Sequence, residues 1–233
     1  MSRIAIISPI ASKEIKKKLA NLDFEPLGIP RCNLVDDPIS YHPDIQIFIH
    51  KNKIFCHPNI PGNFLNKLKK NNDIIICKTK LNNKYPGDIP YNIACTGKFA
   101  FHKTEITDNF IAEYLFSQNI KLINIRQGYS KCSTLVIDNE RIITADSSIH
   151  RAAELNNIKS LLIARGFIDL PGYKYGFIGG ATGTFGNKIF FSGKIDHHPD
   201  YRRIMNWIYT SNKMVIYLSN ERAIDLGTIF FLD

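Results

Sequence analysis

The feature of this sequence that most limits its fold is a repeated order of predicted elements. A β-hairpin, a helix and a strongly apolar strand follow one another, and this order recurs at intervals of roughly 40 to 50 residues. Full copies begin near residues 42, 93, 131 and 177. Such recurrence predicts an α/β protein made of similar units.

Local patterns place the elements of each copy. Polar turn residues separate the two strands of each hairpin, and apolar residues at helical spacing mark the helices. One helix has Thr107 or Asp108 as its candidate cap, and another follows Ser147 or Ser148. The patterns predict hairpins at 42–56, 93–101, 131–144 and from 177, helices at 61–70, from 109, after 147 or 148 and at 200–208, and strands at 74–77, 121–125, 160–164 and 214–218.

The two ends of the chain complete a fifth unit. A strand, a helix and a strand are predicted at 4–7, 12–22 and 25–29, and one unmatched strand at 224–231. A last strand that pairs with the first would close a ring and hide both sheet edges. We therefore expect one domain over residues 1–233, a five-fold pseudosymmetric ββαβ propeller.

Composition excludes several classes of protein. The net charge is +9, but the lysines fall on predicted helix faces and turns, and no basic motif is interleaved with aromatic residues, so nucleic-acid binding is not expected. No apolar run is long enough to cross a bilayer, and the N-terminal pattern is not that of a signal peptide, which predicts a cytoplasmic protein. Five scattered cysteines without a CxxC pair predict neither a zinc site nor a disulfide framework.

Five ββαβ units closed by the C-terminal strand resemble the pentein fold of the guanidino-group-modifying enzymes, which include arginine deiminase, dimethylarginine dimethylaminohydrolase and the amidinotransferases. In that superfamily a cysteine thiolate attacks the guanidinium carbon, a histidine acts as acid and base, and carboxylates hold the cation. The hairpin starts carry these residues to a central pocket. The resemblance implies the same for the hairpin starts of this chain, with no cofactor.

The resemblance assigns roles to four residues. His42 and Asp44, in His-Pro-Asp, look like the H-x-D element in which the histidine is the acid and base and the aspartate binds guanidinium. Cys132 looks like the nucleophile, and Asp225 could orient the histidine. In the superfamily the cysteine follows the histidine near the C-terminus, whereas here it lies mid-chain. The units of His42 and Cys132 are still two steps apart on the ring, so the set is consistent with a permuted site.

One ring position departs from the superfamily. Where several members carry a guanidinium-binding carboxylate, this chain has the segment 179–183, Gly-Gly-Ala-Thr-Gly. Either the ligand differs, or the site performs no chemistry. The segment matches no phosphate-binding motif, so we expect Gly179, Gly180 and Thr182 to bring backbone close to the pocket or its ligand. Arg126 and Arg165 are predicted to end the central strands of their units and could meet a substrate carboxylate.

Two further expectations concern charge and metal. Cys132 could react only as a thiolate, which requires a pKa lowered by a nearby cation, and Lys131, Arg126 or His42 could supply it. The run 196–200, Asp-His-His-Pro-Asp, resembles a metal cluster. It falls where the repeat begins a helix, however, and Cys-His-Pro-Asn at 56–59 occupies the same place in another unit. A structural role at the helix start is therefore favoured over a metal site.

Two hypotheses for the function remain open. The first is a guanidine or amidine hydrolase or amidinotransferase, in which Cys132 forms a covalent amidino adduct, His42 transfers protons, and Asp225 and Asp44 orient and bind. The second is a non-catalytic relative that binds a small ligand or a protein partner. It expects Cys132 to be buried or beyond hydrogen-bond reach of His42.

Overall fold

A computed structural model describes residues 3–69 and 71–233. They form five three-stranded sheets, in which the middle strand pairs antiparallel with the first strand and parallel with the third. The sheets, in ring order, are β3 (Ile47–His50), β4 (Lys53–Cys56), β5 (Asp73–Ile76); β6 (Ala94–Thr96), β7 (Phe99–His102), β8 (Lys121–Asn124); β9 (Thr134–Val136), β10 (Arg141–Thr144), β11 (Lys159–Leu162); β12 (Thr182–Phe185), β13 (Lys188–Phe191), β14 (Met214–Tyr217); and β15 (Phe230–Leu232), β1 (Arg3–Ile7), β2 (Phe24–Gly28).

One helix joins the middle and third strands of each unit. These helices are α1 (Lys13–Ala20), α3 (Gly62–Leu68), α4 (Asn109–Ser117), α6 (Ser147–Leu155) and α7 (Tyr201–Tyr209). The cap of α4 is Asp108, whose carboxylate accepts the Phe110 N–H. The cap of α6 is Asp146, because its carboxylate accepts two N–H groups of the first turn, and Ser147 and Ser148 lie inside the helix. The sequence pattern instead predicts that this helix follows Ser147 or Ser148.

Each helix is packed between two sheets, its own and that of the preceding unit. Phe64 of α3, for example, shares an apolar cluster with Ile54 of its own sheet and Ile6 of the fifth. The other four interfaces pair Ile111 of α4 with Phe55, Ile149 of α6 with Phe101, Ile204 of α7 with Ile143, and Ile15 of α1 with Phe190. Five clusters join five units in a circle, and burial of each such side chain contributes about 1.5–3 kcal/mol.

The last strand closes this ring, as the sequence predicts. β15 pairs antiparallel with β1, with Ile4 opposite Leu232, and Arg3 Nε lies 3.4 Å from Asp233 Oδ1. The predicted strand at 224–231 is wrong over most of its length, because only its last two residues belong to β15. Gly227 and Thr228 adopt left-handed backbone conformations, with φ of 72° and 67°, which an extended strand excludes.

Two hairpins begin with a helical turn instead of the continuous strand that the sequence predicts. The turn α2 (Pro43–Gln46) precedes β3, and α5 (Ser130–Ser133) precedes β9. Both turns are largely buried, and their side chains reach the interior of the ring. The functional candidates lie on these turns.

The histidine motifs at 56–59 and 196–200 have the same local structure. His57 Nδ1 accepts the Asn59 N–H at 3.3 Å, and His198 Nδ1 accepts the Asp200 N–H at 3.0 Å. Both rings therefore stabilise the turn before a helix, which supports the structural interpretation of the repeated motif. Over residues 3–69 and 71–233, none of the helices has the length and apolar character needed to cross a membrane.

Candidate functional site

All five units send one segment to the centre of the ring. We call His42, Asp44, Asn92, Cys132 and Asp225 the central site. The first unit supplies His42 and Asp44 from α2, the third supplies Cys132 from α5, and the fifth supplies Asp225 from the irregular segment before β15. Asn92 comes from the second unit, and Gly180 of the fourth lies beneath Asp225.

Asp44 is fully buried and only half satisfied. Its Oδ2 accepts hydrogen bonds from Thr228 Oγ1 at 2.7 Å and from the Cys132 thiol at 3.1 Å. Its Oδ1 is buried without a partner. Burial raises the pKa of Asp44, although His42 and the two hydrogen bonds oppose the rise. A buried carboxylate oxygen with no donor is costly, so a cationic or hydrogen-bonding ligand would be stabilised beside it.

Cys132 is a hydrogen-bonded thiol in this environment. Besides donating to Asp44, its Sγ accepts an N–H from Asn92 Nδ2 at 3.1 Å. Burial, and then the charges of Asp44 and Asp225, raise its pKa well above the ordinary value. This contradicts the expected lowering by Lys131, Arg126 or His42. The reason is that two carboxylates and the loss of water act on the sulfur together, while His42 is neutral.

Asn92 is a site residue that the sequence analysis missed. Its Oδ1 accepts the backbone N–H groups of Lys131 and Cys132 at 2.7 and 3.3 Å, and its Nδ2 donates to the Asp44 carbonyl oxygen at 3.1 Å. The Asn92 side chain therefore links Cys132, the candidate nucleophile, to Asp44. The available signal was its ring position, at the hairpin start of the unit between those of His42 and Cys132.

His42 and Asp225 face each other at 3.8 Å, measured between Nδ1 and Oδ1. That separation is too long for a hydrogen bond, and both ring nitrogens of His42 are buried without a partner. Burial lowers the pKa of His42 to about 4, so the ring is neutral at pH 7. Burial raises the pKa of Asp225 to about 6, although N–H donors of Gly227 and Phe177, both at 2.9 Å, oppose the rise.

The glycine segment permits close approach of neighbouring backbone and side-chain atoms. A Cβ on Gly180 would lie 1.9 Å from Asp225 Oδ1, and one on Gly179 would lie 2.2 Å from the Lys131 carbonyl oxygen. Glycine is therefore required for Asp225 to reach the centre. Thr182 is less directly involved, because its hydroxyl donates to the Ile178 carbonyl at 3.0 Å and the residue lines a separate cavity of about 430 Å³ at the hairpin-turn end of the inner strands.

His42, Cys132 and Asp225 converge on one pocket of about 210 Å³. Its remaining wall is mainly aromatic and aliphatic. The predicted arginines are elsewhere: Arg126 lies in a separate groove beside Ser147, and Arg165 is exposed and lines neither this pocket nor the separate cavity. The pocket therefore brings together the three residues assigned to chemistry but neither of the two assigned to a substrate carboxylate.

The geometry also bears on the non-catalytic hypothesis. Cys132 is 2% exposed, and His42 makes no hydrogen bond to it, so the thiol meets the condition that this hypothesis set. However, one ligand atom each of His42, Asp44 and Cys132 lie within 4.8 Å of one another, and all three are buried. One small bound group could therefore contact all three side chains.

Solved structures with the same architecture confirm the pentein fold. The agmatine deiminase of C. jejuni superposes with a TM-score of 0.57 at 8% identity, covering 98% of this chain and 92% of that one. Dimethylarginine dimethylaminohydrolase from Pseudomonas aeruginosa, determined with citrulline, gives 0.54 at 8% identity, covering 93% and 92%. The inosamine-phosphate amidinotransferase from Streptomyces griseus gives 0.51 at 11% identity, covering 96% and 80%.

Comparison by sequence matches this chain to a different set of proteins from comparison by structure. No curated protein matches the sequence significantly. A family model described as "Family of unknown function (DUF6873)" matches residues 6–230, almost the whole chain. Because the sequence identities to the solved structures are only 8–11%, the structural similarity shows the fold alone.

Proposed function

The chain belongs to DUF6873, a family of unknown function, and from its central site we propose that it breaks a C–N bond of a guanidinium or amidinium ligand through a covalent bond to Cys132. One observation carries the proposal. A thiol, a neutral imidazole with both nitrogens unpaired and a carboxylate with one unpaired oxygen are buried within 4.8 Å of one another, with the thiol and the imidazole lining one pocket.

The ligand itself would activate the thiol. Burial and the charges of two carboxylates raise the pKa of Cys132 and keep the thiol protonated. A planar cation bound at Asp44 Oδ1 places a positive charge beside the sulfur and offsets the carboxylate charge. An opposite charge within about 4–6 Å favours the ionised form of a group, so the thiol pKa falls when the ligand is bound. This dependence also protects the thiol from other electrophiles.

The reaction then follows from the positions of three side chains. The thiol proton passes to His42, the Cys132 Sγ–C bond forms, and the C–N bond breaks as the leaving amine takes that proton. Asp225, 3.8 Å from the ring, stabilises the transient imidazolium. Water then attacks the adduct carbon and gives a proton to His42, the S–C bond breaks as the sulfur takes that proton back from His42, and a urea or amide is released. If an amine attacks instead of water, the same steps transfer the amidino group.

The second hypothesis, a non-catalytic ligand-binding relative, is supported by a different observation. The pKa of the Cys132 thiol is raised, so the thiol is protonated, and residues 179–183 include no carboxylate. If binding a cation does not lower the thiol pKa, the same pocket holds its ligand without reacting.

Covalent labelling separates the two. Wild-type protein is incubated at pH 8 with 2-chloroacetamidine, and with neutral 2-chloroacetamide as the matched reagent, and modified peptides are located by mass spectrometry. We expect saturable labelling of Cys132 by the amidine only, lost in Cys132→Ala and retained in Cys77→Ala, which removes another buried thiol. Undiminished labelling of Cys132→Ala overturns the mechanism. Failure to label the wild type leaves the non-catalytic hypothesis.

A further inference from the structure

The pocket of the central site also indicates which part of a ligand it can accommodate besides the cation. Resting on the proposed function, we infer that the substrate is an amidine or simple guanidine with a small apolar or aromatic substituent, and not an amino acid such as arginine. Two features support this inference. One is the number of hydrogen-bond acceptors that remain free on Asp44, Asp225 and His42, which we call the cation end, and the other is the apolar character of the pocket wall.

The cation end offers few acceptors. Asp225 has one acceptor position left on each oxygen, because Oδ2 accepts the Phe177 N–H and Oδ1 accepts the Gly227 N–H, each at 2.9 Å. Asp44 Oδ2 already has two donors, which leaves Oδ1. His42 adds two free ring nitrogens, of which the neutral ring can use one as an acceptor. No carboxylate at 179–183 supplements them.

A ligand with fewer N–H groups suits this site better. An alkylguanidinium carries five N–H donors, like the arginine side chain, whereas an amidinium carries about four. Each donor that remains unpaired in a buried site costs about 1–3 kcal/mol. An amidinium, or a guanidinium whose outer N–H groups face the pocket mouth, leaves the fewest donors unsatisfied.

The pocket wall is apolar and aromatic. Tyr129 and Phe177 stack with their ring centroids 6.3 Å apart, and Tyr175 meets Phe177 edge-on at 6.1 Å. The Tyr129 hydroxyl donates to Asp88, so its polar end is satisfied outside the cavity. Ile39 and Leu170 are buried parts of the same wall. Aromatic faces also favour a nearby cation, which reinforces rather than replaces Asp44.

The wall has no partner for an amino-acid carboxylate. Among the described residues that line the pocket, Lys174 is the one cationic side chain, and it is exposed. Arg126 and Arg165 lie outside the lining. A carboxylate placed against Tyr175 and Phe177 would lose water without gaining a rigid donor pair, which is unfavourable. The cavity volume of about 210 Å³ equals that of about seven liquid waters, enough for a ring-sized substituent.

Calorimetric binding to Cys132→Ser, which cannot turn over, tests this inference. We expect benzamidine to bind at least tenfold more tightly than acetamidine, and more tightly than arginine or agmatine. Phe177→Ala should remove most of the preference for benzamidine while leaving acetamidine binding within about twofold, because the Phe177 N–H to Asp225 belongs to the backbone. The control is Tyr209→Ala, which truncates an exposed aromatic residue of α7 and should change neither affinity.

The outcomes distinguish this inference from the proposed function. If arginine or agmatine binds more tightly than benzamidine, and protects Cys132 better from 2-chloroacetamidine, the substrate class is wrong while covalent chemistry stands. If benzamidine binds with the expected Phe177 dependence but Cys132 is never labelled, the site is an apolar cation site without chemistry. If Phe177→Ala unfolds, Phe177→Leu gives the same comparison, and unchanged selectivity in the folded variant overturns the inference.

Discussion

Two regions of this ring contain the same three residue types in very different states. At the start of α4, His102, Asp108 and Cys77 form what we call the α4 cluster; at the centre are His42, Asp44 and Cys132. In both regions the histidine pKa is lowered to about 4 by burial, and burial raises the cysteine pKa. Residue type and burial therefore do not distinguish a structural cluster from a candidate site.

Hydrogen-bond satisfaction does distinguish them. In the α4 cluster both nitrogens of His102 have partners, Thr107 Oγ1 at 2.7 Å and the Ile89 carbonyl at 2.9 Å. The Asp108 carboxylate accepts from Thr79 and from the helix N–H of Phe110. At the centre both nitrogens of His42, which lines the pocket, and one oxygen of Asp44, which contacts the pocket residue Cys132, are unpaired. Unsatisfied groups that face space are available to a ligand, whereas satisfied ones stabilise the fold.

The largest expected difference concerns the two histidines. We expect His42→Asn to lower ammonia release from benzamidine by about 10²–10⁴-fold, the usual contribution of a general acid and base. His102→Asn should leave turnover per folded molecule unchanged and lower the free energy of unfolding by about 1–3 kcal/mol, because it leaves buried partners unpaired. Equal turnover losses in the two variants, measured at matched folded fractions, would remove the functional distinction.

A smaller effect is expected when the two aspartates are changed. Asp44→Asn removes a charge that raises the Cys132 pKa, so alkylation by neutral iodoacetamide at pH 8 should become faster, by about tenfold for each pKa unit removed. Amidine binding should weaken in the same variant. Asp108→Asn should leave the Cys132 rate unchanged and cost about 1–3 kcal/mol of stability, because the new amide nitrogen cannot accept the hydrogen bonds of Thr79. Slower alkylation in Asp44→Asn, measured by peptide mass spectrometry, would show that Asp44 does not control the thiol.

The smallest expected effect is in the pH dependence of stability. Unfolded His42 binds a proton below about pH 6.5 that the folded ring does not bind until about pH 4, so it lowers stability as pH falls through this window. Folded Asp225, with its pKa at about 6, binds a proton before its unfolded form and raises stability over the same window. The two contributions oppose each other in the wild type.

Removing one aspartate from each region should expose the difference. Asp225→Asn leaves the His42 contribution unopposed by Asp225, so stability should fall more steeply than in the wild type as pH decreases from about 6 to 4, by up to roughly 1.4 kcal/mol per pH unit. Although burial opposes it, hydrogen bonds from Thr79 lower the pKa of Asp108, so its contribution is lost only at lower pH and Asp108→Asn should keep the wild-type slope over this window. Urea unfolding of both variants from pH 4 to 7 measures these slopes, and equal slopes would contradict the assignment.

Much of the fold could be predicted from local sequence. Each strand-turn-strand pattern and each capped helix reports its own conformation, so four units, the N-terminal elements and the ring closure are correct in order. The segment before β15 could not be predicted, because Ile224 to Ile229 is apolar enough for a strand. Its path is set by distant contacts, in which the N–H groups of Leu226 and Thr228 both donate to the Gly180 carbonyl, at 3.0 and 2.9 Å.

The candidate site was predictable in part for a related reason. The ring positions of their units were sufficient to predict that His42, Cys132 and Asp225 lie close together. Asn92 and Thr228 are polar residues beside turns, and only the tertiary structure shows that their side chains reach Asp44. Arg126 and Arg165 follow β8 and β11, which are the outer strands of their sheets, and a residue leaving an outer strand emerges at the surface.

The pairing of β15 with β1 joins the N-terminal and C-terminal strands within the fifth unit without a covalent bond. With Arg3 Nε only 3.4 Å from Asp233 Oδ1, a short peptide linker could connect the ends and a new break could be made in another exposed loop, leaving every strand pair in place. The linear order of histidine and cysteine in such a protein then records only where the circle was opened. Genes that differ in this respect can encode the same arrangement of side chains.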